Sequence, residues 1–168
     1  LTAKGKVIAD LRIFARGDGL LVDVPPRAAA GWWAMIRKYV NPRMARYEDI
    51  SGSLSQLGVF GPRALSLVRE AIGAGAVLPD TMPSYGHQEI GTGDGSILVA
   101  SVPDFGVGGC ELFAPPAVVQ EMRAWLVRLG ADQVAGDALL IARIEAGRPE
   151  WGGDVDDSTL AQEAALTA

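Results

Sequence analysis

Four ionisable residues stand among apolar neighbours that predict regular, partly buried structure: Asp10, Asp23, Glu111 and Arg143. A charge is costly to bury unless it is paired or binds a ligand. A carboxylate suits a ligand that presents hydrogen-bond donors side by side, and an arginine suits carbonyl or carboxylate oxygens. These four residue types could hold a ligand that carries both kinds of group. The sequence alone does not show that residues from four elements converge.

Two of the carboxylates lie within predicted strands, where aspartate is disfavoured. Asp10 belongs to an alternating stretch at 6–14, and Asp23 belongs to a second strand at 20–24. The glycine-containing stretch 15–19 predicts a tight hairpin connection between them. Two interpretations stay open, because each aspartate could be functional or could point to solvent from a half-exposed sheet.

Arg143, the cation among these four residues, lies near the end of an apolar helix predicted at 137–146. Gly147 is a suitable stop for that helix, and Pro149 forbids its continuation. The following loop, 147–157, holds several carboxylates and Trp151. A loop of this composition either packs against a second layer or lines a site.

The remaining elements predict the fold class. Hydrophobic spacing and proline or glycine stops predict strands at 47–50, 54–60, 96–102 and 110–113, and helices at 25–40, 63–72, 115–129 and, briefly, from Leu160. Strands and helices interleave without a strict strand–helix–strand repeat. This pattern predicts an α+β fold with antiparallel sheets and helices packed on one face.

Several common sites can be excluded. The glycines at 106–109 lack the lysine of a phosphate loop and lead into a strand instead of a helix. The stretch 91–95 also leads into a strand, so it does not match the dinucleotide-binding fingerprint. No cysteine and histidine set has zinc spacing, so we predict no metal site. The lone His87, in a long connection at 73–95, is expected at the surface. Cys110, beside two glycines, is expected to be a small packed side chain.

Composition predicts one globular domain with a real core, because the 168 residues are 49% hydrophobic and 21% charged. The net charge of −5, without a dense basic cluster, argues against nucleic acid as a partner. No apolar run is long enough to span a membrane. A single cysteine fits a reducing compartment such as the cytoplasm. The opening without methionine and the end just after an apparent helix start predict a fragment of a longer protein.

The stretch from Arg143 to Asp154 reads Arg-x-Glu-Ala-Gly-x-Pro-x-Trp-Gly-x-Asp and is followed by Thr159 and Glu163. It resembles the folate-binding domain of the aminomethyltransferase (GcvT) superfamily. The run 109–112, Gly-Cys-Glu-Leu, is similar to the end of the motif whose last glutamate binds the pterin in that family. Weaker similarities at 1–10 and 61–64 extend the resemblance over nearly the whole chain. It implies a GcvT-like folate-binding domain with ferredoxin-like halves.

The resemblance also implies roles for the four ionisable residues. Glu111 would hold the pterin edge, whose N–H and NH₂ one carboxylate can accept together. Arg143 would orient Glu111 or contact the pteridine. Asp10 would be catalytic, near the nitrogen of tetrahydrofolate that bears the one-carbon unit. Asp23, where the family often has asparagine, would be a further contact to tetrahydrofolate or a one-carbon-substituted folate.

Departures from the aminomethyltransferase pattern favour one branch of the superfamily. The first strand carries Ala9-Asp10 where those enzymes have two aspartates, and Phe-Gly-Val at 105–107 replaces Thr-Gly-Glu. Both favour the YgfZ-type branch, with iron–sulfur client or assembly proteins as partners. A folate-dependent aminomethyltransferase and a non-catalytic partner-binding scaffold are the alternatives. The expected domain spans 1–168, without an N-terminal segment, the Lys-Gly-Cys-Tyr-x-Gly-Gln-Glu motif or a C-terminal barrel.

Overall fold

The computed structural model describes residues 1–2, 4–17, 19–73, 75–93 and 95–164, which form six strands and four helices. All strand pairs are antiparallel, which confirms the predicted α+β class. The chain divides into two compact units, 1–48 with 149–168 and 49–148. Outside the described residues lie Asp18 of the predicted hairpin connection, Asp94 of the glycine-rich stretch at 91–95, and residues 3, 74 and 165–168.

The first unit contains a hairpin and a helix. Strand β1 (Arg12–Arg16) pairs with β2 (Gly19–Asp23), as the sequence predicts. A 3₁₀ turn at Pro26–Ala28 leads into α1 (Ala29–Tyr39), because proline suits the first turn of a helix.

The predicted strand at 6–14 is wrong over its first half. Lys6 makes one isolated bridge to Leu160, and the Val7 amide donates to the Thr159 carbonyl over 2.9 Å. The backbone here is therefore tied to 159–160 and does not continue β1, so Asp10 lies in an irregular segment. Alternation of apolar residues does not reveal which segment supplies the hydrogen bonds. The helix predicted from Leu160 is also wrong, since 160–164 form a bridge and turns.

The second unit is built on a four-stranded sheet. Its strands are β3 (Ser55–Phe60), β4 (His87–Thr92), β5 (Gly95–Ser101) and β6 (Gly109–Ala114), and their order is β3-β6-β5-β4. The strands predicted at 54–60, 96–102 and 110–113 are thus confirmed to within a residue or two. The central pair is β6 and β5, which positions residue 111 in the middle of the sheet.

Helices α2 (Ala64–Ile72) and α3 (Pro116–Arg128) pack on one face of this sheet, as predicted. Their apolar sides and the strands share one core cluster, which includes Val59, Val68, Ile97, Val99, Cys110, Leu112, Val119, Met122 and Leu126. Helix α4 (Gly136–Glu145) follows, and Gly147, at a φ of 66°, stops it as the sequence predicts.

Two further strand and loop predictions are wrong. Residues 47–50 form no strand, and the supposed connection at 73–95 contains β4. The β4 sequence has one buried apolar residue, Ile90, and few residues that favour strands. Its pairing with β5 outweighs this weak local preference.

None of the helices in the described ranges has both the length and the apolar character that crossing a bilayer requires.

Candidate functional site

The sheet of the second unit buries one charged side chain. Glu111 is 6% exposed and is the one polar or charged residue in the buried set of the described residues. On β6 it lies opposite Gly58 of β3 and Ala100 of β5. These neighbours have little or no side chain, so side chains from elsewhere on the sheet can approach the carboxylate.

The position of Glu111 in β6 sets the face on which it lies. Side chains alternate along a strand, so Cys110 and Leu112 point into the core beneath α2 and α3 while Glu111 points to the opposite face. The strand register puts Gln56 and Phe60 of β3 on that same face. We call it the Glu111 face.

Gln56 contacts the buried carboxylate directly. Its Nε2 donates a hydrogen bond to Oε2 of Glu111 across β3 and β6. A hydrogen bond to an ionised acceptor is stronger than one between neutral groups, so it helps to stabilise the buried charge. Sequence reasoning missed Gln56, because an exposed glutamine on an edge strand looks like ordinary surface. Only the β3–β6 register identifies it.

An aromatic ring lies next to this pair. A Cβ built on Gly58 would come within 2.6 Å of Cε2 of Phe60, and one on Gly109 within 2.3 Å of its Cδ1. The Phe60 ring therefore occupies the space that both glycines leave open. The Phe105 ring meets it edge-on, with 4.6 Å between the centroids. The Glu111 face thus combines an acceptor, an amide and an apolar ring.

Arg143 lies in the last turn of α4, as predicted, and is half-buried. Its Nη1 donates to the backbone carbonyl of Arg148 over 2.7 Å. The cation in the apolar helix therefore has a hydrogen-bonding partner. Its predicted contact with Glu111 or with a pteridine stays a prediction.

Arg148 is itself held by two side chains of the same unit. Its Nη2 lies 2.9 Å from Oδ1 of Asp104 and 3.0 Å from the hydroxyl of Tyr85. The Tyr85 hydroxyl donates to the same Asp104 oxygen over 2.7 Å. This cluster, Tyr85, Asp104 and Arg148, fixes the segment that accepts from Arg143.

The predicted site residues of the first unit have different environments. Asp23 lies on β2, and its Oδ2 accepts from Nη2 of Arg12 at 2.5 Å and from Nε at 3.0 Å. A cross-strand ion pair thus accounts for an aspartate in this strand. Asp10 is half-buried in the irregular segment before β1. Ligand contacts for either aspartate remain predictions.

The loop after α4 packs against the first unit's own 3₁₀ turn. Nη1 of Arg27 donates to the Gly152 carbonyl over 3.1 Å, and a Cβ on Gly152 would lie 3.0 Å from the Arg27 side chain. The Glu150 amide donates to Oδ2 of Asp154, which closes the loop on itself. Of the two interpretations of this loop, packing against a second layer has direct structural support.

Cys110 is buried, as predicted for a small packed side chain. Burial, and then the negative charge of the neighbouring Glu111, raise the pKa of its thiol to about 12. The thiol is therefore neutral near pH 7 and unsuited to nucleophilic chemistry. Within the described ranges, no group of three or more histidine, cysteine, aspartate or glutamate residues could hold a metal ion.

An α+β fold with a buried carboxylate on the sheet face opposite α2 and α3 suits a domain that takes a small, donor-bearing ligand. Comparison with known proteins defines the class further. The family described as the GCVT N-terminal domain matches residues 1–168, and the chain belongs to that family.

Curated relatives support the same assignment. The chain is 26% identical to an aminomethyltransferase of Rubrobacter xylanophilus over 163 residues, which cover 97% of this chain and 43% of the relative. It is 24% identical to the aminomethyltransferase of Synechococcus elongatus over 173 residues, covering 99% and 45%. The corresponding Nostoc protein is 22% identical over 174 residues. The chain thus spans less than half the length of these relatives.

These findings confirm the superfamily predicted from the sequence. They do not extend to its YgfZ-type branch, because the relatives described above are aminomethyltransferases. They therefore support the aminomethyltransferase alternative more directly than the first interpretation of the sequence.

Proposed function

We propose that this chain is the folate-binding domain of a protein that transfers a one-carbon unit from an aminomethyl donor to tetrahydrofolate. The observation that carries the proposal is the buried Glu111, between Gly58 and Ala100 on the Glu111 face. A buried carboxylate suits a ligand that offers paired donors, and the pterin of folate offers an N–H and an NH₂ side by side. Similarity to aminomethyltransferases supports the choice of reaction.

Each site residue then has a defined task. Glu111 accepts from the pterin edge, and Arg143 donates to Glu111 or to an oxygen of the ligand. Asp10 stabilises the cation that develops as the one-carbon unit moves to tetrahydrofolate. Asp23 is a further folate contact while it remains paired with Arg12.

Calorimetric titration of tetrahydrofolate into the full-length protein tests the site. The Glu111→Gln variant keeps the size of the side chain but removes its charge. Loss of a paired, charge-assisted hydrogen bond should weaken binding by about 2–4 kcal/mol, or roughly 30- to 1000-fold. Glu121→Gln, the same change at an exposed position of α3, is the matched control and should bind like the wild type. No saturable binding by the wild type would overturn the proposal.

A second function has its own support in the sequence. Ala9 precedes Asp10 where aminomethyltransferases have a second aspartate, and Val107 stands in place of a glutamate. Both departures favour a YgfZ-type protein in the cytoplasm that binds tetrahydrofolate and assists iron–sulfur client or assembly proteins. The domain at 1–168 would serve either function.

Turnover separates the two functions. Formation of methylene-tetrahydrofolate from an aminomethyl donor, lost in Asp10→Asn, supports the transferase. Tight folate binding without turnover supports the helper role, with reduced activity of iron–sulfur enzymes expected in cells that lack the protein. If a folded Glu111→Ala protein behaves like the wild type in every assay, the remaining hypothesis is a non-catalytic partner-binding scaffold.

A further inference from the structure

Gln56 and Glu111 form an adjacent donor and acceptor on the Glu111 face. The Gln56 side chain begins on edge strand β3, two residues before Gly58, which lies directly opposite Glu111. It reaches diagonally across Gly58, and its Nε2 donates to Oε2 of Glu111. Glu111 is buried, whereas Gln56 is exposed. The pair therefore connects a buried acceptor to an exposed amide on the Glu111 face.

The contact with Glu111 determines which way the Gln56 amide is turned. A glutamine amide has two N–H donors and one carbonyl acceptor. With Nε2 against the carboxylate, one N–H bonds to Glu111 and the second stays beside it. Rotating the amide by half a turn would point its carbonyl oxygen at a carboxylate oxygen, and two acceptors repel. Glu111 therefore holds Gln56 as a donor.

We propose that Gln56 is a specificity-determining residue that selects 2-amino-4-oxo pterins over 4-amino analogues. This inference rests on the proposed folate site. The edge of a 2-amino-4-oxo pterin presents, in order, an NH₂ donor, an N–H donor and a carbonyl acceptor. Glu111 accepts from the two donors, and the second N–H of Gln56 donates to the 4-oxo oxygen. A 4-amino analogue places a donor against this N–H, so that hydrogen bond is lost. Its N3 also lacks the proton that Glu111 accepts, so the share of the preference that Gln56 supplies is the share that a Gln56 variant removes.

The test compares the affinities of the full-length protein for tetrahydrofolate and for its 4-amino counterpart, reduced in the same way. The readout is the ratio of the two dissociation constants. Removing a hydrogen bond of about 1–2 kcal/mol changes such a ratio roughly 5- to 30-fold. We expect the wild type to bind the 4-oxo ligand more tightly than the 4-amino ligand. In Gln56→Leu the ratio of the two dissociation constants should change by this factor, towards equal affinity. If the role of Gln56 were purely structural, Gln56→Leu would weaken the binding of both ligands equally and leave the ratio unchanged.

Two further variants sharpen the experiment. Gln56→Glu replaces the donor with an acceptor and should shift the preference towards the 4-amino ligand. Gln120→Leu makes the same change as Gln56→Leu at an exposed position of α3 and should leave the ratio at its wild-type value. Because Gln56 is exposed on an edge strand and Gln120 is exposed on α3, we expect both leucine variants to fold. These two variants decide the test even if the second carboxylate of Gln56→Glu, beside Glu111, destabilises the protein.

The outcomes separate this inference from the proposal on which it rests. If tetrahydrofolate binds and Glu111→Gln weakens it, but Gln56→Leu keeps the wild-type ratio, the inference is wrong and the folate site stands. If neither ligand binds the wild type, the inference and the proposed folate site are both wrong. A preference for the 4-oxo ligand that falls in Gln56→Leu and falls further in Gln56→Glu supports both the inference and the folate site.

Discussion

The guanidinium of Arg12 lies against the carboxylate of Asp23, its register partner on the neighbouring strand, with Nη2 2.5 Å and Nε 3.0 Å from Oδ2. The two side chains are 21% and 22% exposed, so solvent screens the pair only in part. A cross-strand pair of opposite charges stabilises a hairpin. The structural need for Asp23 is therefore clear without a ligand.

A double-mutant cycle measures this pair. Asp23→Asn and Arg12→Met, singly and together in the full-length protein, should show a coupling of about 0.5–1 kcal/mol in the free energy of unfolding. Urea unfolding provides the four values. Asp23→Asn should change tetrahydrofolate affinity less than Glu111→Gln does. A loss of affinity as large as that of Glu111→Gln, at unchanged stability, would contradict this order and make binding the main role of Asp23.

The cluster of Tyr85, Asp104 and Arg148 leads to a second prediction. Tyr85→Phe removes a hydroxyl that bonds to both charged partners and should lower the free energy of unfolding by about 1 kcal/mol. Arg148→Met should cost a similar amount, because the ion pair between Arg148 and Asp104 is then lost. Thermal or urea unfolding checks both variants.

Non-additivity identifies these residues as one network. The double variant Tyr85→Phe with Arg148→Met should lose less stability than the sum of the single losses, because both bond to the same oxygen of Asp104. Arg63→Met, at an exposed arginine just before α2, is the control and should be nearly neutral. Strict additivity would mean that the two side chains act independently of each other.

How far the sequence predicts this site depends on the kind of signal each residue leaves. Glu111 and Arg143 are predictable because a charge within an apolar run is unusual, and the structure has both on the predicted elements. Gly147 is predictable because a left-handed residue ends many helices. Family resemblance adds what these residues would bind.

The remaining features depend on pairing between distant segments. The strand predicted for Asp10 fails because Val7 bonds to Thr159, far away in the sequence. Strand β4 is missed because its own residues favour a strand only weakly and β5 supplies the partner. Gln56 has no signal of its own, since its importance follows from the register that brings it beside Glu111. Local patterns carry no information about such registers.

The glycines under the Phe60 ring provide a third prediction. Gly109→Ala would put a Cβ 2.3 Å from the ring and 2.8 Å from the Val59 carbonyl oxygen, so backbone as well as side chain must move. We expect a loss of about 1–3 kcal/mol in the free energy of unfolding. Gly91→Ala, on β4 with no atom within 4 Å of the new Cβ, should be within about 0.5 kcal/mol of the wild type.

The Phe60 ring can be tested as the cause of this cost. At Gly58 the three atoms nearest to the new Cβ would all belong to the Phe60 ring, the first at 2.6 Å. Gly58→Ala should therefore destabilise the wild type but cost much less in a Phe60→Leu background. Unfolding experiments on the four proteins give the comparison. An equal cost in both backgrounds would exclude the ring as the origin of the strain.

The buried thiol of Cys110 provides a fourth prediction, on reactivity. Burial and the Glu111 charge raise the thiol pKa from 9.0 to about 12, so almost no thiolate forms in the folded protein near pH 8. Since the thiolate is the reactive species, iodoacetamide should not label the folded protein but should label it rapidly in guanidinium chloride. Mass spectrometry measures both rates. Rapid labelling of the folded protein would contradict the burial of Cys110.

The same shift predicts how stability depends on pH. Because the folded pKa of Cys110 is higher than the unfolded pKa, the unfolded chain loses this proton first as the pH rises. The contribution of the thiol to stability is full below pH 9.0 and falls between 9.0 and about 12. Its slope approaches about 1.4 kcal/mol per pH unit. Lysines and tyrosines titrate in the same range, so the quantity to compare is the difference between the wild type and Cys110→Ala. That difference should shrink as the pH rises, and a difference independent of pH would show that Cys110 ionises equally easily in the folded and unfolded protein.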